Sequence, residues 1–374
     1  MESSFDKIKG RLGFGCMRLP TNGEEIDIAK FSEMVDAFMA AGFNYFDTAH
    51  GYHGGRSEGA IKAALTSRYP RESYVIADKL STFHFEREEE ILPLFEKQLS
   101  ALGVEYIDFY LMHSQNSALY EKYTRARAYE VVAGLKREGK IRHLGISFHD
   151  KASLLDRILT EHPEIELVQI QFNYADYDDP AVQSRACYEV CRKHGKPVVI
   201  MEPVKGGNLV RLPEEGLNIL NSLGGGSPAS YALRFAAGFD GVVSVLSGMG
   251  SLDMINENTS FMKDFKPLSE SELEAIGKVR EVLRAASLIQ CTSCKYCTDG
   301  CPANIPIPGL FACMNGAAIW RDWSSKFYYD VHTKGGGKAS DCIGCGACEA
   351  VCPQHLPIRE LLSEVAKKFE EKEQ

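Results

Sequence analysis

Short β-rich segments alternate with longer helical segments along most of this 374-residue chain, which leaves few folds open. Eight strands are predicted, at residues 12–15, 43–47, 74–79, 107–113, 141–148, 167–173, 197–202 and 241–247. Helices are predicted between them, at residues 28–41, 58–69, 86–102, 125–137, 152–161, 181–194 and 229–237. No strand is followed by the G-x-G-x-x-G of a doubly wound nucleotide-binding sheet. The sequence therefore predicts an α/β protein with a (β/α)8 TIM barrel, and a doubly wound sheet is the alternative.

Four ionisable residues lie at or just after the ends of consecutive predicted strands. Asp47, Lys79 and His113 end strands two, three and four, and Tyr52 lies in the glycine-rich loop after strand two. In a TIM barrel these strand ends share the active-site face. An ammonium lowers the pKa of a neighbouring phenol, so we expect Lys79, held by Asp47, to tune Tyr52 as an acid. We expect His113 to hydrogen-bond a substrate carbonyl. Each residue alone fits a polar strand end, but the four together favour catalysis.

Two cysteine runs follow the predicted barrel, and both have the spacing C-x2-C-x2-C-x3-C-P. This is the bacterial ferredoxin motif for [4Fe-4S] clusters, in which the fourth cysteine of each run ligates the other cluster. The predicted ligands of one cluster are Cys291, Cys294, Cys297 and Cys352, and those of the other are Cys342, Cys345, Cys348 and Cys301. Zinc sites are the alternative, but a four-cysteine zinc site needs neither the third close cysteine nor the trailing proline. The remaining cysteines are expected in the core: Cys16, Cys187, Cys191 and Cys313.

The change in composition after the barrel predicts two domains. The barrel is assigned to residues 1–287, and a small, mostly helical, two-cluster ferredoxin-like domain to residues 288–374. Two further helices are predicted after strand eight, at residues 252–262 and 269–286. If the first runs down the barrel and the second returns, the cluster domain should lie beside the catalytic mouth.

Bulk properties limit the compartment and the partners. A formal net charge of -9 disfavours nucleic acid and anionic membranes as partners. The sequence begins without an apolar targeting segment, and no apolar run approaches the ~18 residues of a membrane span. We therefore expect a cytoplasmic protein whose cysteines hold clusters instead of disulfides.

Eight segments of the chain resemble the aldo-keto reductase superfamily over residues 12–258. They are LGFGCMRL, FDTAHGY, VIADK, IDFYLMH, HLGIS, VQIQFN, MEPVKGG and INEN. The cysteine-rich segment resembles the dicluster domains attached to iron-sulfur members of this superfamily in bacteria. The resemblance implies NAD(P)H-dependent reduction of a small carbonyl substrate, or the reverse oxidation of an alcohol, with Tyr52 as the general acid.

The same resemblance implies a set of cofactor-binding residues. It assigns Ser147 and Gln169 to the nicotinamide carboxamide, Pro203, Val204, Lys205 and Gly207 to the pyrophosphate, and Gly248, Glu257 and Asn258 to the adenosine end. Three positions depart from the superfamily pattern. Met201 stands where many members stack a tyrosine on the nicotinamide, and Phe148 where an asparagine often follows the serine. Met254 stands where NADP-using members often have a basic or amide side chain, so NADH should compete with NADPH.

Two other functions remain open from the sequence. The first is an electron-transfer protein that works with a ferredoxin or flavin partner. The second is a redox-responsive regulatory module that binds nucleotide without turnover. The intact Asp47, Tyr52, Lys79 and His113 favour catalysis. Hydride carries two electrons whereas each cluster accepts one, and the chain shows no flavin fingerprint. We therefore expect the clusters to serve structure or an external electron carrier.

Overall fold

Eight parallel strands close into a barrel in the computed structural model, which describes residues 4–286, 288–320 and 323–371. The strands are β1 Leu12–Gly15, β2 Tyr45–Asp47, β3 Val75–Leu80, β4 Ile107–Gln115, β5 Ile141–Phe148, β6 Leu167–Gln171, β7 Val198–Met201 and β8 Val242–Ser247. Each strand pairs in parallel with its neighbour in the chain, and β8 pairs with β1 through Val245 and Leu12. This closure confirms the TIM barrel and excludes the doubly wound sheet.

Helices surround the barrel between the strands. Those of eight or more residues in the barrel region are Ile28–Ala40, Ile91–Leu102, Ser117–Arg125, Ala128–Arg137, Ala152–Glu161, Ser184–Lys193, Glu214–Asn221, Pro228–Ala237, Leu252–Met262 and Glu270–Ala285. The shorter helices here are Ser4–Lys7 and Ser57–Ile61, and the latter continues into a wider π-helical turn at Lys62–Thr66. A hairpin joins Thr21–Asn22 to Glu25–Ile26. In the described ranges, no helix is long and apolar enough to cross a membrane.

Apolar side chains fill the inside of the barrel, so its interior is a packed core. The buried members of this layer are Tyr45, Val75, Ala77, Phe109, Leu111, Leu167, Val199 and Leu246. Phe5, on the helix Ser4–Lys7, packs edge-on against Phe109 with ring centroids 4.9 Å apart. A second and larger apolar layer lies between the strands and the surrounding helices. Because both faces of the strands are covered, the polar groups that remain accessible are concentrated at the strand ends.

The cysteine-rich lobe, defined here as described residues 288–320 and 323–371, has a second apolar core, to which Ala181 and Val182 of the loop after β6 also contribute. Its helices are Tyr296–Asp299, Ile307–Trp320, Ser324–Thr333, Ala347–Ala350 and Ile358–Phe369. The last helix buries Ile358, Leu362, Val365 and Phe369 against this core. Ser287, where the sequence predicts the domain boundary, lies outside the described residues.

The lobe packs against the loops at the carboxyl ends of β5, β6 and β7. The Tyr328 hydroxyl donates to Gln171 Oε1 over 3.0 Å, at the end of β6. His332 Nε2 bonds the carbonyl oxygen of Ala181 at 3.0 Å. Trp320 lies beside Lys205, whose Nζ is 5.6 Å from the indole ring centre. The expectation that the lobe lies beside the mouth is thus confirmed, because these contacts all involve mouth loops.

Candidate active site

The ends of β2 and β3 bring an aspartate and a lysine into direct contact. Lys79 Nζ donates to Asp47 Oδ1 at 2.6 Å and to the carbonyl oxygen of Thr48 at 2.6 Å. Both side chains are buried. Burial alone would lower the pKa of Lys79, but Asp47 and Tyr52 outweigh it and raise the pKa above its usual range. Lys79 is therefore a fixed ammonium, and its loss would leave Asp47 as an unpaired buried charge.

Tyr52 lies over this ammonium, with Lys79 Nζ 5.0 Å from the centre of its ring. The loop that bears Tyr52 turns through positive φ at His53 and Gly54, 53° and 64°. It is anchored because the backbone N–H of Leu19 donates to His53 Nε2 at 3.1 Å. The phenol is thus held at the mouth by both its loop and its neighbours.

The acidity of Tyr52 differs from the sequence-based expectation. Burial raises the pKa of Tyr52, and although Lys79 opposes this, the net shift is upward. The sequence led us to expect a lowered pKa, since it reveals the ammonium but not the depth at which the phenol lies. Tyr52 is consequently a neutral phenol at physiological pH and holds the proton that a general acid must supply.

His113, near the end of β4, completes the group. Its ring lies 6.0 Å from that of Tyr52 at an interplanar angle of 76°. Its Nδ1 is hydrogen-bonded to Ser81 Oγ, which orients the ring. Tyr123 also fixes this strand end, because its hydroxyl donates to the carbonyl oxygen of His113 at 3.0 Å. Burial, followed by the charge of Lys79, lowers the pKa of His113 well below its usual range, so the imidazole is neutral.

Two polar side chains from adjacent strands lie on the same face next to this group. Ser147 of β5 and Gln169 of β6 are paired in register. Ser147 Oγ accepts from the backbone N–H of Ser114 at 2.8 Å. Gln169 Oε1 is buried with no hydrogen-bond partner among the described residues. A buried amide oxygen without a donor fits the amide N–H of a nicotinamide carboxamide, since a ligand there would satisfy it.

Two departures from the superfamily pattern occupy defined places. Met201, the last residue of β7, is partly buried and packs against the apolar barrel interior. Phe148, the last residue of β5, belongs to the apolar layer between strands and helices. Phe148 therefore contributes packing where an asparagine would offer hydrogen bonds.

The loop after β7 contains Pro203, Val204, Lys205 and Gly207. Gly206 and Gly207 have φ of 63° and 95°, a region that favours glycine. Lys205 is buried, and its Nζ donates to Asp176 Oδ1 at 2.6 Å. Its charge is thereby already paired with a carboxylate of the β6 loop. That pairing makes it a weaker phosphate ligand than the sequence suggests.

Two arginines border this loop, and sequence reasoning missed both. A Cβ placed on Gly206 or on Gly248 would lie 3.5 Å or 3.3 Å from the guanidinium of Arg18, which therefore lies between the two glycines. A Cβ on Gly207 would lie 3.4 Å from Arg211 Nη2. Both arginines line a cavity of about 380 Å³ that Lys205, Asn208, Trp320 and Trp323 also border. Arg18 Nη2 also lies 3.7 Å from Glu202 Oε1, which lines the same cavity. Two guanidinium groups beside glycine backbone suit a diphosphate.

The remaining cofactor candidates lie at β8 and on the helix Leu252–Met262. Asn258 is buried, and its Nδ2 donates to Ser247 Oγ at 3.0 Å. Glu257 is exposed. Met254, in the first turn of this helix, is also exposed, and its Sδ accepts from the backbone N–H of Gly250 at 3.5 Å.

The eight clustered cysteines separate into two sets around two small cavities. One cavity is lined by Cys291, Cys294, Cys297 and Cys352, and the other by Cys301, Cys342, Cys345 and Cys348. These are the crossed sets that the spacing predicts. In the part of the chain that the structure describes, no three metal-ligating side chains converge closely enough to hold a single metal ion. Thiols spaced around a cavity suit a polynuclear cluster better than a lone zinc ion.

The four other cysteines are buried, as predicted: Cys16, Cys187, Cys191 and Cys313. The first three pack in the barrel's outer apolar layer, and Cys313 packs in the lobe. Burial raises the pKa of each of these thiols, which keeps them protonated. They are unreactive core residues.

A closed parallel barrel that gathers a phenol, an ammonium, a carboxylate and an imidazole at its mouth has the architecture of a TIM-barrel enzyme. The aldo/keto reductase family model matches residues 11–281, and a 4Fe-4S dicluster domain matches residues 290–356. The chain belongs to the aldo/keto reductase family and is an NAD(P)-dependent oxidoreductase with a 4Fe-4S dicluster domain.

Individual relatives are distant. The chain is 24% identical to the 9,11-endoperoxide prostaglandin H2 reductase of Trypanosoma cruzi, over 72% of this chain and 88% of that protein. It is 28% identical to the NADH-specific methylglyoxal reductase of Escherichia coli, over 47% of this chain and 57% of that protein. Among solved structures, the holo form of an aldo-keto reductase from Bacillus halodurans superposes with a TM-score of 0.60. Its identity is 27%, and the match covers 72% of this chain and 91% of that one.

Proposed function

We propose that the protein interconverts a small carbonyl compound and its alcohol, with Tyr52 as the general acid and base. The observation that supports this best is the position of Lys79, which lies 5.0 Å from the Tyr52 ring centre and is bonded to Asp47. An ammonium fixed beside the phenol stabilises the phenolate that forms when Tyr52 gives up its proton.

His113 orients the carbonyl in this proposal. Its Nδ1 is occupied by Ser81, so Nε2 is the atom that faces a substrate oxygen. A neutral imidazole donates a hydrogen bond there without adding a second charge beside Lys79. His113 and Tyr52 together then polarise the carbonyl oxygen and deliver the proton to it.

A nicotinamide cofactor supplies the hydride when it is bound. We assign its carboxamide to Ser147 and Gln169, because Gln169 Oε1 is a buried acceptor in need of a donor. The nicotinamide ring would lie against Met201 in place of a tyrosine. The pyrophosphate is assigned to the loop Pro203, Val204, Lys205 and Gly207 with Gly248, together with the newly recognised Arg18 and Arg211. The adenosine end is assigned to Glu257 and Asn258, and the exposed Met254 favours use of NADH beside NADPH.

The lobe is proposed to hold two [4Fe-4S] clusters with crossed ligation, in a domain that spans residues 288–374 after a barrel of residues 1–287. The grouping of four thiols around each of two cavities supports both the count and the crossing. The clusters would either transfer single electrons or stabilise the fold of the lobe that surrounds them.

Electron exchange with an external carrier is a second candidate function for the lobe. Ile343, between two cysteines of the later run, is 71% exposed, and Val351 is 48% exposed. Apolar side chains exposed beside a redox centre are typical of transient docking surfaces for electron carriers.

The experiment that tests the main proposal is Tyr52→Phe in the full-length protein. Loss of the phenolic proton should lower kcat for carbonyl reduction by about 10²- to 10⁴-fold, the usual contribution of general acid catalysis. The dissociation constant for NADPH should change less than about twofold, since the ring and loop remain. Unaltered turnover in the variant would refute the assignment.

A further inference from the structure

Aromatic and imidazole rings form a row from the catalytic group to the cysteine-rich lobe. The row begins at Tyr52 and His113, whose rings are 6.0 Å apart. The next ring along the mouth is that of His149, the first residue after β5, whose backbone N–H donates to the carbonyl oxygen of Gln115, two residues beyond His113, at 2.8 Å. The ring of His149 meets that of Phe327 at 5.5 Å and 74°, and Phe327 meets Trp323 at 5.4 Å and 73°. Phe327 and Trp323 belong to the lobe, so the lobe supplies the outer part of this wall.

The wall is neutral and largely apolar. Burial, with the charge of Lys79, lowers the pKa of His149 to about 4, so its imidazole is neutral at physiological pH. His149 Nδ1 is buried without a hydrogen-bond partner among the described residues. Trp323 is 51% exposed, and Phe83, in the loop that leaves β3 on the same face, is 76% exposed. Large apolar side chains left exposed at a site mouth indicate an apolar ligand.

Among the described residues, the two lysines that are buried at the mouth are paired with carboxylates. Lys79 is paired with Asp47, and Lys205 with Asp176. Arg18 and Arg211 share a cavity with Trp323, but they lie beside the glycines of the β7 and β8 loops, where a bound pyrophosphate would occupy them. An anionic substituent packed against Phe327 would lose hydration, and the neutral rings of Phe327 and His149 offer it no charge partner.

We propose that Phe327 and Trp323 form the outer wall of the substrate site and select neutral carbonyl compounds that carry an aromatic or similarly flat apolar group. Such a group would stack or pack edge-on against Phe327 while its carbonyl reaches Tyr52 and His113. The proposal rests on the proposed carbonyl reduction at Tyr52. In this proposal the cysteine-rich lobe carries the two sets of cysteines and also forms part of the substrate site.

The test compares benzaldehyde, a neutral aromatic aldehyde, with glyceraldehyde, a polar aliphatic one, in the full-length holoprotein. In Phe327→Ala, KM for benzaldehyde should rise about tenfold while kcat changes little, because only binding contacts are lost. KM for glyceraldehyde should stay within about twofold. Phe327→Leu, which keeps apolar bulk without a ring, should give an intermediate KM for benzaldehyde.

Iron content and cluster absorption will reveal whether Phe327→Ala disturbs the lobe. If it does, Trp323→Ala provides a second test of the proposal. It should also raise KM for benzaldehyde selectively. The matched control is Leu273→Ala, which removes an apolar side chain of similar exposure, 47%, on the helix Glu270–Ala285. It should leave both KM values unchanged.

Equal changes in KM for the two aldehydes, or no change in either, would overturn the proposal. If the wild-type protein reduces neither aldehyde, that result counts against the proposed carbonyl reduction and leaves the role of Phe327 and Trp323 to be tested by binding. Equilibrium dialysis of radiolabelled benzaldehyde against the NADP+-loaded protein then measures binding to the proposed wall without any need for turnover. Weaker binding to Phe327→Ala and Trp323→Ala than to wild type supports it, and equal binding refutes it.

Discussion

The Tyr328 hydroxyl of the cysteine-rich lobe donates a buried hydrogen bond of 3.0 Å to Gln171 Oε1 at the end of β6. Gln171 Nε2 in turn donates to Asp176 Oδ2 at 2.8 Å, and Asp176 Oδ1 accepts from Lys205. A continuous polar chain therefore joins the lobe to the loop assigned to the cofactor pyrophosphate. We therefore expect changes in the lobe to alter the affinity for the nucleotide.

Tyr328→Phe tests this link. The variant leaves Gln171 Oε1 buried without its donor, which should cost about 1–3 kcal/mol of stability. It should also raise the dissociation constant for NADPH several-fold, measured by fluorescence titration. Tyr329→Phe is the matched control, because the Tyr329 hydroxyl bonds Glu370 and the Ala339 N–H within the lobe. If both variants weaken NADPH binding equally, the polar chain has no specific role.

The pH dependence of carbonyl reduction should follow the proton on Tyr52. Because burial raises the pKa of Tyr52, the rate should remain level through neutral pH and fall only at pH values above the usual titration range of a phenol. In Lys79→Met the opposing ammonium is lost, so the pKa rises further and the alkaline fall should move to higher pH. The rate should also drop about 10²-fold or more. Lys79→Arg, which keeps the positive charge, should shift the profile less, and a shift of Lys79→Met toward lower pH would contradict the assigned role.

The anaerobically purified protein should contain about eight irons and eight acid-labile sulfides per chain, as two cubane clusters require. Cys301→Ser should damage the cluster held by Cys342, Cys345 and Cys348 and leave the other intact, as resolved by electron paramagnetic resonance of the reduced protein. Cys313→Ser alters a buried thiol outside both sets and should retain the full iron content. Stoichiometric zinc without labile sulfide would refute the cluster assignment.

Cofactor choice should respond to Met254, which is 50% exposed in the first turn of its helix. Met254→Arg would place a guanidinium where the 2′-phosphate is expected, so affinity for NADPH should rise about tenfold with little change for NADH. Titration of both nucleotides measures this. Met254→Leu, which adds no charge, should bind both nucleotides as the wild type does. A strong NADPH preference in the wild type would mean that another cation already supplies the charge.

Bound NAD(P)H alone should not reduce the clusters rapidly, because a hydride carries two electrons and each cluster accepts one. Anaerobic stopped-flow mixing of NADPH with the oxidised protein should leave cluster absorption unchanged over the time of a turnover. Dithionite, a one-electron reductant, should bleach it and serves as the control. Fast bleaching by NADPH without added flavin or substrate would disprove this expectation.

The strands and cysteine sets were predictable because their signals are local. β1, β5 and the helix Leu252–Met262 have the predicted bounds, since apolar periodicity and the flanking turns define them. Gln98 is a polar residue on the buried face of the helix Ile91–Leu102, and its role depends on contacts with another segment. In the structure its Nε2 donates to the carbonyl oxygen of Lys79 at 3.1 Å, so this helix helps to hold the backbone of β3 in place.

Other parts of the site depend on contacts between distant segments. Arg18 follows β1 but lies against Gly206 and Gly248, and no local pattern records that meeting. The helix Ser324–Thr333 was not predicted, because its buried residues include Ser324, Ser325 and His332 and do not form an apolar stripe. The only signal for Arg18 in the sequence is that a basic residue occurs shortly after the first strand, which ends at Gly15.

The crossed cysteine sets impose an order on the making of this protein. Cys352 shares a cavity with Cys291, so the first set remains incomplete until the ribosome has delivered the second run. Barrel strands β1 to β8 have all emerged by then, and N-terminal domains generally fold first during synthesis. Iron insertion at the proposed cluster sites would therefore be a late maturation step that follows the barrel. A ribosome that stalls between the two cysteine runs would release a chain with its barrel residues complete and neither set of thiols closed.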